Sequence, residues 1–240
     1  MMKIDATNMH FQTLNEKVRQ AETDVTIDNC IGQRYIGSGQ SGKHITINGT
    51  PGNALGAYLN GADITVWGNA QDATGDTMNE GAIVIHGSSG DATGYAMRGG
   101  KIFVEGDAGY RAGIHMKSYR DKIPVLMIGG RAGSFLGEYQ AGGMIIVLGL
   151  GGDGSAPVGN FCGTGMHGGK MYLRCRELPK KLPGQIVAEK ATAEDMAQID
   201  EELDAFCRIF RKQKEEILAE PFYVLTPNTK NPYKQLYTAN

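Results

Sequence analysis

Cysteine is scarce in this 240-residue chain, and the cysteines that are present do not cluster. The four thiols, Cys30, Cys162, Cys175 and Cys207, lie far apart and form no CxxC pair. Disulfide frameworks and zinc sites need cysteines at short, regular spacings. With no signal peptide in the sequence, we expect free thiols in a reducing cytoplasm.

The sequence also lacks a long apolar run and an excess of basic charge. The longest apolar run, at residues 144–150, is far shorter than the ~20 residues that a membrane-spanning helix needs. The 24 basic and 26 acidic residues give a formal net charge of -2, whereas a nucleic-acid-binding surface calls for a basic stripe. We therefore expect neither a membrane nor a nucleic acid as a partner.

Glycine, in contrast, is abundant, with 35 residues or roughly twice the average usage. The glycines belong to a repeat in which two alternating apolar residues precede one glycine, and a second glycine follows after a constant interval. The first four members are evenly spaced along the chain: Ile45-x-Ile47-x-Gly49, Ile64-x-Val66-x-Gly68, Ile83-x-Ile85-x-Gly87 and Ile102-x-Val104-x-Gly106. Such a repeat decides the architecture before any local feature does.

The repeat continues to residue 175 with two interruptions. Its later members are Leu126-x-Ile128-x-Gly130, Ile145-x-Val147-x-Gly149 and Met171-x-Leu173-x-Cys175. The longer steps that lead to Leu126 and to Met171 indicate insertions within residues 117–124 and 150–160. An earlier member is expected at Val25-x-Ile27-x-Asn29, where asparagine tolerates the left-handed backbone that glycine adopts elsewhere.

Each repeat has room for little more than one short strand with one inward face. So short a unit contains no helical segment and cannot bury its apolar face alone, and it must therefore stack on its neighbours. We predict an all-β fold, a parallel β-helix of 7–8 coils over residues 25–175. Two sets of side chains are expected to form interior ladders: Leu59, Met78, Met97 and Met166, and Ala54, Ala73 and Ala92.

The segments outside the repeat are predicted to be helical or extended. Residues 1–24 are expected to cap the first coil with a short helix that places Phe11, Leu14, Val18 and Ala21 on one face. Residues 176–240 are expected to form a linker, a helix and an extended tail. The helix would start at the N-cap Thr192, end at Pro221 and carry one apolar stripe: Met196, Ile199, Leu203, Phe206, Phe210 and Ile217.

One outward column of the strands loses its polar character along the solenoid. Its later members are Val84, Phe103, Met127, Ile146 and Tyr172. A strand that is buried on both faces loses the alternation of apolar and polar residues. We therefore predict that this column is an interface, covered either by the C-terminal helix of the chain or by another subunit.

Residues 37–43 (GSGQSGK) match a GxGxxG pattern and resemble a phosphate-binding loop. Such a loop holds the anion at the start of a helix, whereas Ile45 and Ile47 predict a strand here. The histidines show no metal-ligand spacing: His10, His44, His86, His115 and His167. We predict no cofactor site and no metal site in this chain, and we expect His86 to be a solvated or interface residue.

Basic and aromatic side chains gather around the first insertion: Arg98, Arg111, Lys117, Arg120 and Lys122, with Tyr95, Tyr110 and Tyr119. Loops that bulge from a solenoid commonly carry its binding surface, so we predict an interface here, with a solvated loop as the alternative. Glu105, Asp107 and Asp121 would serve as acid and base only if the fold brings them together. No nucleophile–base pair stands out, and we predict no catalytic residue.

Several longer strings resemble the GXGXG domain of the large subunit of glutamate synthase in its free-standing form. They lie at residues 32–37 (GQRYIG), 68–72 (GNAQD), 97–100 (MRGG), 109–117 (GYRAGIHMK), 135–139 (FLGEY) and 163–169 (GTGMHGG), and Asn231-Pro232-Tyr233 in the tail is also similar. The resemblance implies a right-handed β-helix and membership of an assembly that converts glutamine and 2-oxoglutarate into two glutamates.

The same resemblance implies the division of labour in that assembly. The expected partners are an FMN-barrel synthase subunit, which would also carry the iron–sulfur cluster, and a glutamine amidotransferase subunit. The family's glutaminase uses an N-terminal cysteine, whereas this chain starts with Met1, so no catalytic residue carries over. The chain would act as a spacer that holds the two partners in register and borders the ammonia route between them.

Three alternatives stay open. Related β-helices occur as the C subunit of formylmethanofuran dehydrogenase and in split methylamine-glutamate methyltransferases. A different class is an independent β-helix enzyme that acts on a polysaccharide, with an acid or base from the region of Asp107, Arg111, Lys117 and Arg120.

Overall fold

The computed structural model describes residues 1–228, which form eleven strands and four helices. Their order is β1 (Met2–Asp5), α1 (Phe11–Gln20), β2 (Val25–Ile31), β3 (His44–Thr50), β4 (Asn60–Trp67), β5 (Glu80–Ile85), β6 (Lys101–Val104), β7 (Val125–Ile128), β8 (Ala141–Val147), β9 (Gly168–Arg174), β10 (Ile186–Lys190), α2 (Ala193–Ala197), α3 (Asp200–Phe210), α4 (Lys214–Leu218) and β11 (Phe222–Pro227).

The strands stack in chain order as the coils of a β-solenoid. Strands β1 to β9 pair in parallel, each with its sequence neighbours. Ile64 lies beside Ile45 on one side and Ile83 on the other, so residues that are one repeat apart become neighbours. The predicted parallel β-helix is confirmed, and β2 to β9 correspond to the eight repeat members.

The two insertions leave the register of the strands unchanged. Ile102 lies beside Leu126, and Ile145 lies beside Met171, although an insertion lengthens the chain between the members of each pair. The extra residues therefore bulge outward between strands. In the first insertion Tyr119 and Lys122 form an antiparallel bridge across a tight turn.

One of the two predicted interior ladders is confirmed. Leu59, Met78, Met97 and Met166 are buried inside the coils. The other prediction is wrong for Ala73 and Ala92, which are half-buried at a corner with left-handed backbone, φ 55° at both. The side chains that turn inward at this corner belong to the next residues in the chain, Thr74 and Thr93.

The N-terminal helix is present as predicted, with an additional strand before it. Leu14 and Val18 of α1 are buried, and Met2 of β1 pairs with Val25. Strand β1 was not predicted because it has only four residues, of which only Ile4 is buried, and it therefore shows no alternation of apolar and polar residues. Lys43, from the loop that resembles a phosphate site, donates hydrogen bonds to the carbonyl oxygens of Val18 (3.1 Å) and Ala21 (2.6 Å) at the end of α1.

The C-terminal region differs from the prediction of one helix between Thr192 and Pro221. The Thr192 cap is confirmed, because its hydroxyl accepts from the backbone N–H of Asp195 and the Asp195 side chain accepts from the N–H of Thr192. The chain then leaves helical geometry at Ile199 (φ -112°, ψ 7°) and at Arg211, which is left-handed with φ 54°. Three short helices result, and all three contribute apolar side chains to the same cluster.

Two antiparallel strands close the C-terminal end of the solenoid. Strand β11 pairs with the last coil strand β9, and β10 pairs with β11, so the open edge of β9 is covered. Residues 222–227 are extended as predicted, whereas β10 lies where a linker was expected. The tail string Asn231-Pro232-Tyr233 lies outside the described residues. No helix in residues 1–228 is long and apolar enough to cross a membrane.

Candidate functional site

The apolar outward column is buried under the chain's own C-terminal helices. Four members of the column, Phe103, Met127, Ile146 and Tyr172, are at most 3% exposed, and Val84 packs beside them. They form one cluster with the apolar stripe of the helices: Ile199, Leu203, Phe206, Phe210 and Ile217. The sequence left open whether the C-terminal helix or another subunit covers this column. In the structure, the chain's own C-terminal helices cover it.

Polar contacts fasten the helices around this cluster. Lys101 forms ion pairs with Glu201 (3.1 Å) and with the buried Glu202 (3.0 Å), and Lys212 pairs with Glu105 (3.0 Å). Each contact joins a coil to α3 or to the turn after it. The helices are therefore held by an apolar centre with a charged rim.

Lys170 and Asp195 form a further ion pair of the rim at 2.9 Å. The hydrogen bonds that Lys170 and Thr192 donate to the Asp195 carboxylate lower its pKa to about 2. The ionised carboxylate thus joins β9 to the start of α2.

His86 lies at the edge of the covered flank. Its ring stacks on Trp67 at 3.8 Å between centroids and meets the edge of Phe210 at 5.2 Å, and Glu105 approaches its Nδ1 at 3.8 Å. Burial lowers the pKa of His86, while Glu105 opposes that shift. His86 is therefore an interface histidine within the chain, one of the two roles that the sequence allowed.

A second surface feature lies on the turn segments between the strands, and we call it the aromatic corner. It consists of Tyr95, Tyr110, Arg111, His115, Phe135, Tyr139 and Phe161. The rings of Tyr110, Phe135 and Phe161 follow one another up the solenoid with centroids 5.3 and 4.8 Å apart. In a parallel row, the His115 ring meets the edge of Tyr95 at 6.0 Å and stacks on Tyr139 at 5.2 Å.

Arg111 lies over two rings of the first row. Its guanidinium lies 5.2 Å from the ring centroids of both Tyr110 and Phe135, and its Nε donates to Glu138 at 2.8 Å. The Glu138 hydrogen bond raises the pKa of Arg111. Arg98 lies beside the second row, where it donates to the carbonyl oxygens of Ala96 (2.6 Å) and His115 (3.1 Å).

The backbone of the corner is unusual for such large side chains. Five corner residues have left-handed φ values: Arg111 (55°), His115 (56°), Phe135 (61°), Tyr139 (54°) and Phe161 (62°). Glycine is the residue that adopts this region without steric strain. In other coils of the solenoid, Gly39 and Gly165 occupy the position of Tyr139, with φ 68° and 70°.

A groove of about 890 Å³ adjoins the corner at its C-terminal end. Phe161 belongs to both features, and the rest of the groove is lined mainly by residues 155–164 and 177–183, including Leu178, Leu182 and Lys181. No sequence pattern pointed to this groove, because both walls are irregular segments. Only stacking of the last coil against the following segment creates it.

The predicted interface residues fall into two separate groups. Val84, Phe103, Met127, Ile146 and Tyr172 lie under the helices, whereas Arg98 and Arg111 belong to the corner region. Of the three basic residues on the insertion, Arg120 lies over the Tyr119 ring at 5.1 Å, Lys122 pairs with Glu80 at 2.8 Å, and Lys117 follows the corner directly. Their binding role stays a prediction.

Of the three carboxylates considered as acid and base, Asp121 is exposed on the insertion, and the other two have structural contacts. Glu105 pairs with Lys212 and His86 at the covered flank, whereas Asp107 accepts a hydrogen bond from the backbone N–H of Arg131 at 2.7 Å. The cysteines are buried or partly buried, and burial raises the pKa of Cys162 to about 12. Within residues 1–228, no group of three or more His, Cys, Asp or Glu side chains is arranged to hold a metal ion.

Comparison with known proteins places this architecture among known families. Residues 5–228 match the sequence profile of the GXGXG motif family. An uncharacterized protein of Methanocaldococcus jannaschii is 44% identical over 98% of this chain and 95% of its own length. A chain in the crystal structure of the formyltransferase/hydrolase complex (FhcABCD) from Methylorubrum extorquens with methylofuran has a TM-score of 0.60 at 17% identity, covering 92% of this chain and 89% of that chain.

Proposed function

Because this chain belongs to the GXGXG motif family, we propose that it is a non-catalytic structural subunit of a glutamate synthase-like complex. The observation that carries the proposal is the family match over residues 5–228, which is nearly all of the chain. In the proposed complex the solenoid holds an amidotransferase subunit and an FMN-barrel subunit in register in the cytoplasm. It borders the route by which ammonia passes from one to the other.

The arrangement of the chain supports a scaffold. Stacked coils form a rigid rod, because each coil is hydrogen-bonded to its neighbours through β1 to β9 and through a second ladder at Ala70, Ser89, Ala108, Ala132 and Val158. A rod of this kind can present fixed surfaces at a set distance. FMN and an iron–sulfur cluster are assigned in this proposal to the partner subunits, and this chain needs to bind neither.

The test is to purify the tagged chain from its source organism and to identify the proteins that accompany it. The proposal predicts stoichiometric recovery of an FMN-binding chain and an amidotransferase chain. The recovered complex should form two glutamates from glutamine and 2-oxoglutarate when a reductant supplies two electrons and two protons. A protein that elutes alone under all conditions would contradict the proposal.

A second candidate is a β-helix subunit of a complex related to formylmethanofuran dehydrogenase. The favouring observation is that a chain with a similar fold belongs to the formyltransferase/hydrolase complex of Methylorubrum extorquens. At 17% identity this likeness concerns the fold alone. The same purification separates the candidates, because co-purifying chains of a formyl-transfer complex with no amidotransferase would favour the second.

A further inference from the structure

We infer that the aromatic corner is the docking surface for a different polypeptide, one that presents carboxylates beside apolar side chains. The inference rests on the proposed function, because it names the surface by which the scaffold holds a partner. The sequence predicted the apolar column as an interface, but α3 and α4 already cover that column, so the partner-binding surface is assigned to the corner instead.

The composition and exposure of the corner are those of a protein-binding surface. Phe161 is 57% exposed, and Tyr95, Tyr110 and Tyr139 are each 38–39% exposed. Contiguous exposed apolar side chains mark interaction sites on soluble proteins, and tyrosine and arginine are enriched among the residues that dominate binding energy. The adjoining groove, which shares Phe161, extends the same surface.

The backbone of the corner shows that the fold itself does not require these rings. Phe135 and Tyr139 have bulky side chains at left-handed positions where glycine would relieve strain. The fold needs neither ring, because other coils have Ala54 at the position of Phe135 and Gly39 at the position of Tyr139, also with left-handed backbone. Tyr35 and Tyr58 have the same left-handed backbone near the other end, so the corner is distinguished by the stacking of its rings in two continuous rows.

The charges around the corner determine the chemistry of the partner. Apart from Lys101 and Glu105, which lie on the covered flank, the segment from Tyr95 to Tyr139 carries six basic and three acidic side chains, although the whole chain has a net charge of -2. Two of these nine pair with each other, Arg111 and Glu138, and Lys122 pairs with Glu80. The groove is lined by two basic residues, Lys180 and Lys181, and one acidic residue, Glu177. An acidic surface with apolar side chains is therefore complementary to the corner.

A second copy of this chain is a less suitable occupant. Its acidic region is the helical one, where residues 193–218 carry eight acidic and four basic side chains. Docking that region onto the corner of the next copy would join two different surfaces. Such heterologous contacts form rings only when the rotation closes and otherwise continue as filaments. We therefore assign the corner to a different polypeptide.

The inference is tested by the double variant Phe135→Gly/Tyr139→Gly in the full-length tagged chain, purified with its complex. Glycine removes both rings but fits the left-handed backbone, so the melting temperature should stay within a few degrees of wild type. Recovery of the partner, measured by quantitative mass spectrometry, should fall about tenfold or more. The matched control is Tyr35→Gly/Tyr58→Gly, which removes two exposed rings at left-handed positions near the other end and should leave partner recovery unchanged.

A photo-crosslinking amino acid at position 139, with position 58 as the control, identifies the occupant directly. The inference predicts a crosslink from position 139 to an acidic segment of a different polypeptide. A crosslink to a second copy of the chain, or to nucleic acid, would overturn it.

Failure of the inference can be told apart from failure of the proposed function. If the wild-type chain is recovered alone, the proposed function fails and the docking surface fails with it. If the complex forms but the double glycine variant retains its partner at the wild-type level, only the docking surface is wrong.

Discussion

At the scale of single residues, the second glycine of each repeat sets how tightly the coils turn. Gly56 has φ 62°, and a Cβ built on it would lie 2.7 Å from Cδ1 of Ile83 and 3.3 Å from Cδ1 of Ile64. The position therefore excludes a side chain both by backbone conformation and by packing. Gly39 also has a left-handed backbone, with φ 68°, but a Cβ built there would have no atom within 4 Å.

We predict that Gly56→Ala lowers the free energy of unfolding by about 2–4 kcal/mol, because strain in the left-handed region adds to overpacking against Ile83. Gly39→Ala is the matched control, and it should lower that free energy by only about 1 kcal/mol through backbone strain. Urea unfolding followed by circular dichroism measures both. Equal losses in the two variants would show that packing against the isoleucines is unimportant.

The conformation of a single residue could be predicted from the sequence where the residue type commonly adopts that backbone conformation. Asn29 was expected to replace a glycine, and it has φ 57°. Ala73 and Ala92 were misplaced, because small apolar residues suit an interior position as well as a corner. The left-handed φ values of Phe135 and Phe161 are disfavoured for such residues, so only the stacked coils reveal them.

At the scale of secondary-structure elements, the C-terminal helices are stabilised by what they cover. Phe206 of α3 is fully buried, its ring meets the edge of Phe210 at 4.7 Å, and a Cβ on Gly129 would lie 2.8 Å from its Cζ. The absence of a side chain at Gly129 therefore lets Phe206 lie close to the coil. Isolated helices of this length are marginal in water, so docking must supply their stability.

We predict that Phe206→Ala lowers the free energy of unfolding by about 3–5 kcal/mol and loosens the helices, because a buried aromatic ring is lost. Binding of a hydrophobic dye should rise as Met127 and Ile146 become accessible. Leu218→Ala is the control, since Leu218 is 46% exposed and should change little. Unchanged stability and dye binding in the Phe206 variant would contradict the role of this flank.

The contact between β9 and α2 should depend on pH through Asp195. Its pKa is lowered from 3.8 to about 2 in the folded chain, so its stabilising contribution is complete above about pH 4 and is lost as the pH falls towards 2. Denaturant unfolding of wild type and Asp195→Asn between pH 2 and 6 measures this contribution. The difference in free energy of unfolding between wild type and the variant should shrink as the pH falls from about 4 towards 2. A difference that stays constant over this range would contradict the assignment.

The secondary-structure elements could be predicted where apolar residues recur at a regular spacing over several turns. Six apolar side chains at helical spacing located the docking stripe, and the Thr192 cap was correct. The break at Arg211 was not predictable, since arginine usually continues a helix and its φ of 54° is one that glycine adopts more readily. For β10 and β11 the sequence predicted only a linker and a tail, because antiparallel closure of a solenoid end involves residues far apart in sequence.

At the scale of the whole molecule, the chain has two different long surfaces. Acidic helices cover one flank, and a basic aromatic corner stays exposed on the turn segments. The constant spacing of the repeat predicted the solenoid and the apolar column. It did not predict the corner, because the rings lie on turn segments that the alternation of apolar and polar residues does not mark, and Tyr110 is not at the same repeat position as Phe135 and Phe161.

The most direct test of whether the β-solenoid is a scaffold that binds its partner through the aromatic corner is hydrogen–deuterium exchange. The exchange of backbone amides is compared between the free chain and its purified complex. In the complex, residues 109–117 and 135–139 should exchange more slowly than in the free chain, whereas exchange in α3 should be unchanged. Added protection over α3, with exchange at the corner unchanged, would contradict that role of the corner.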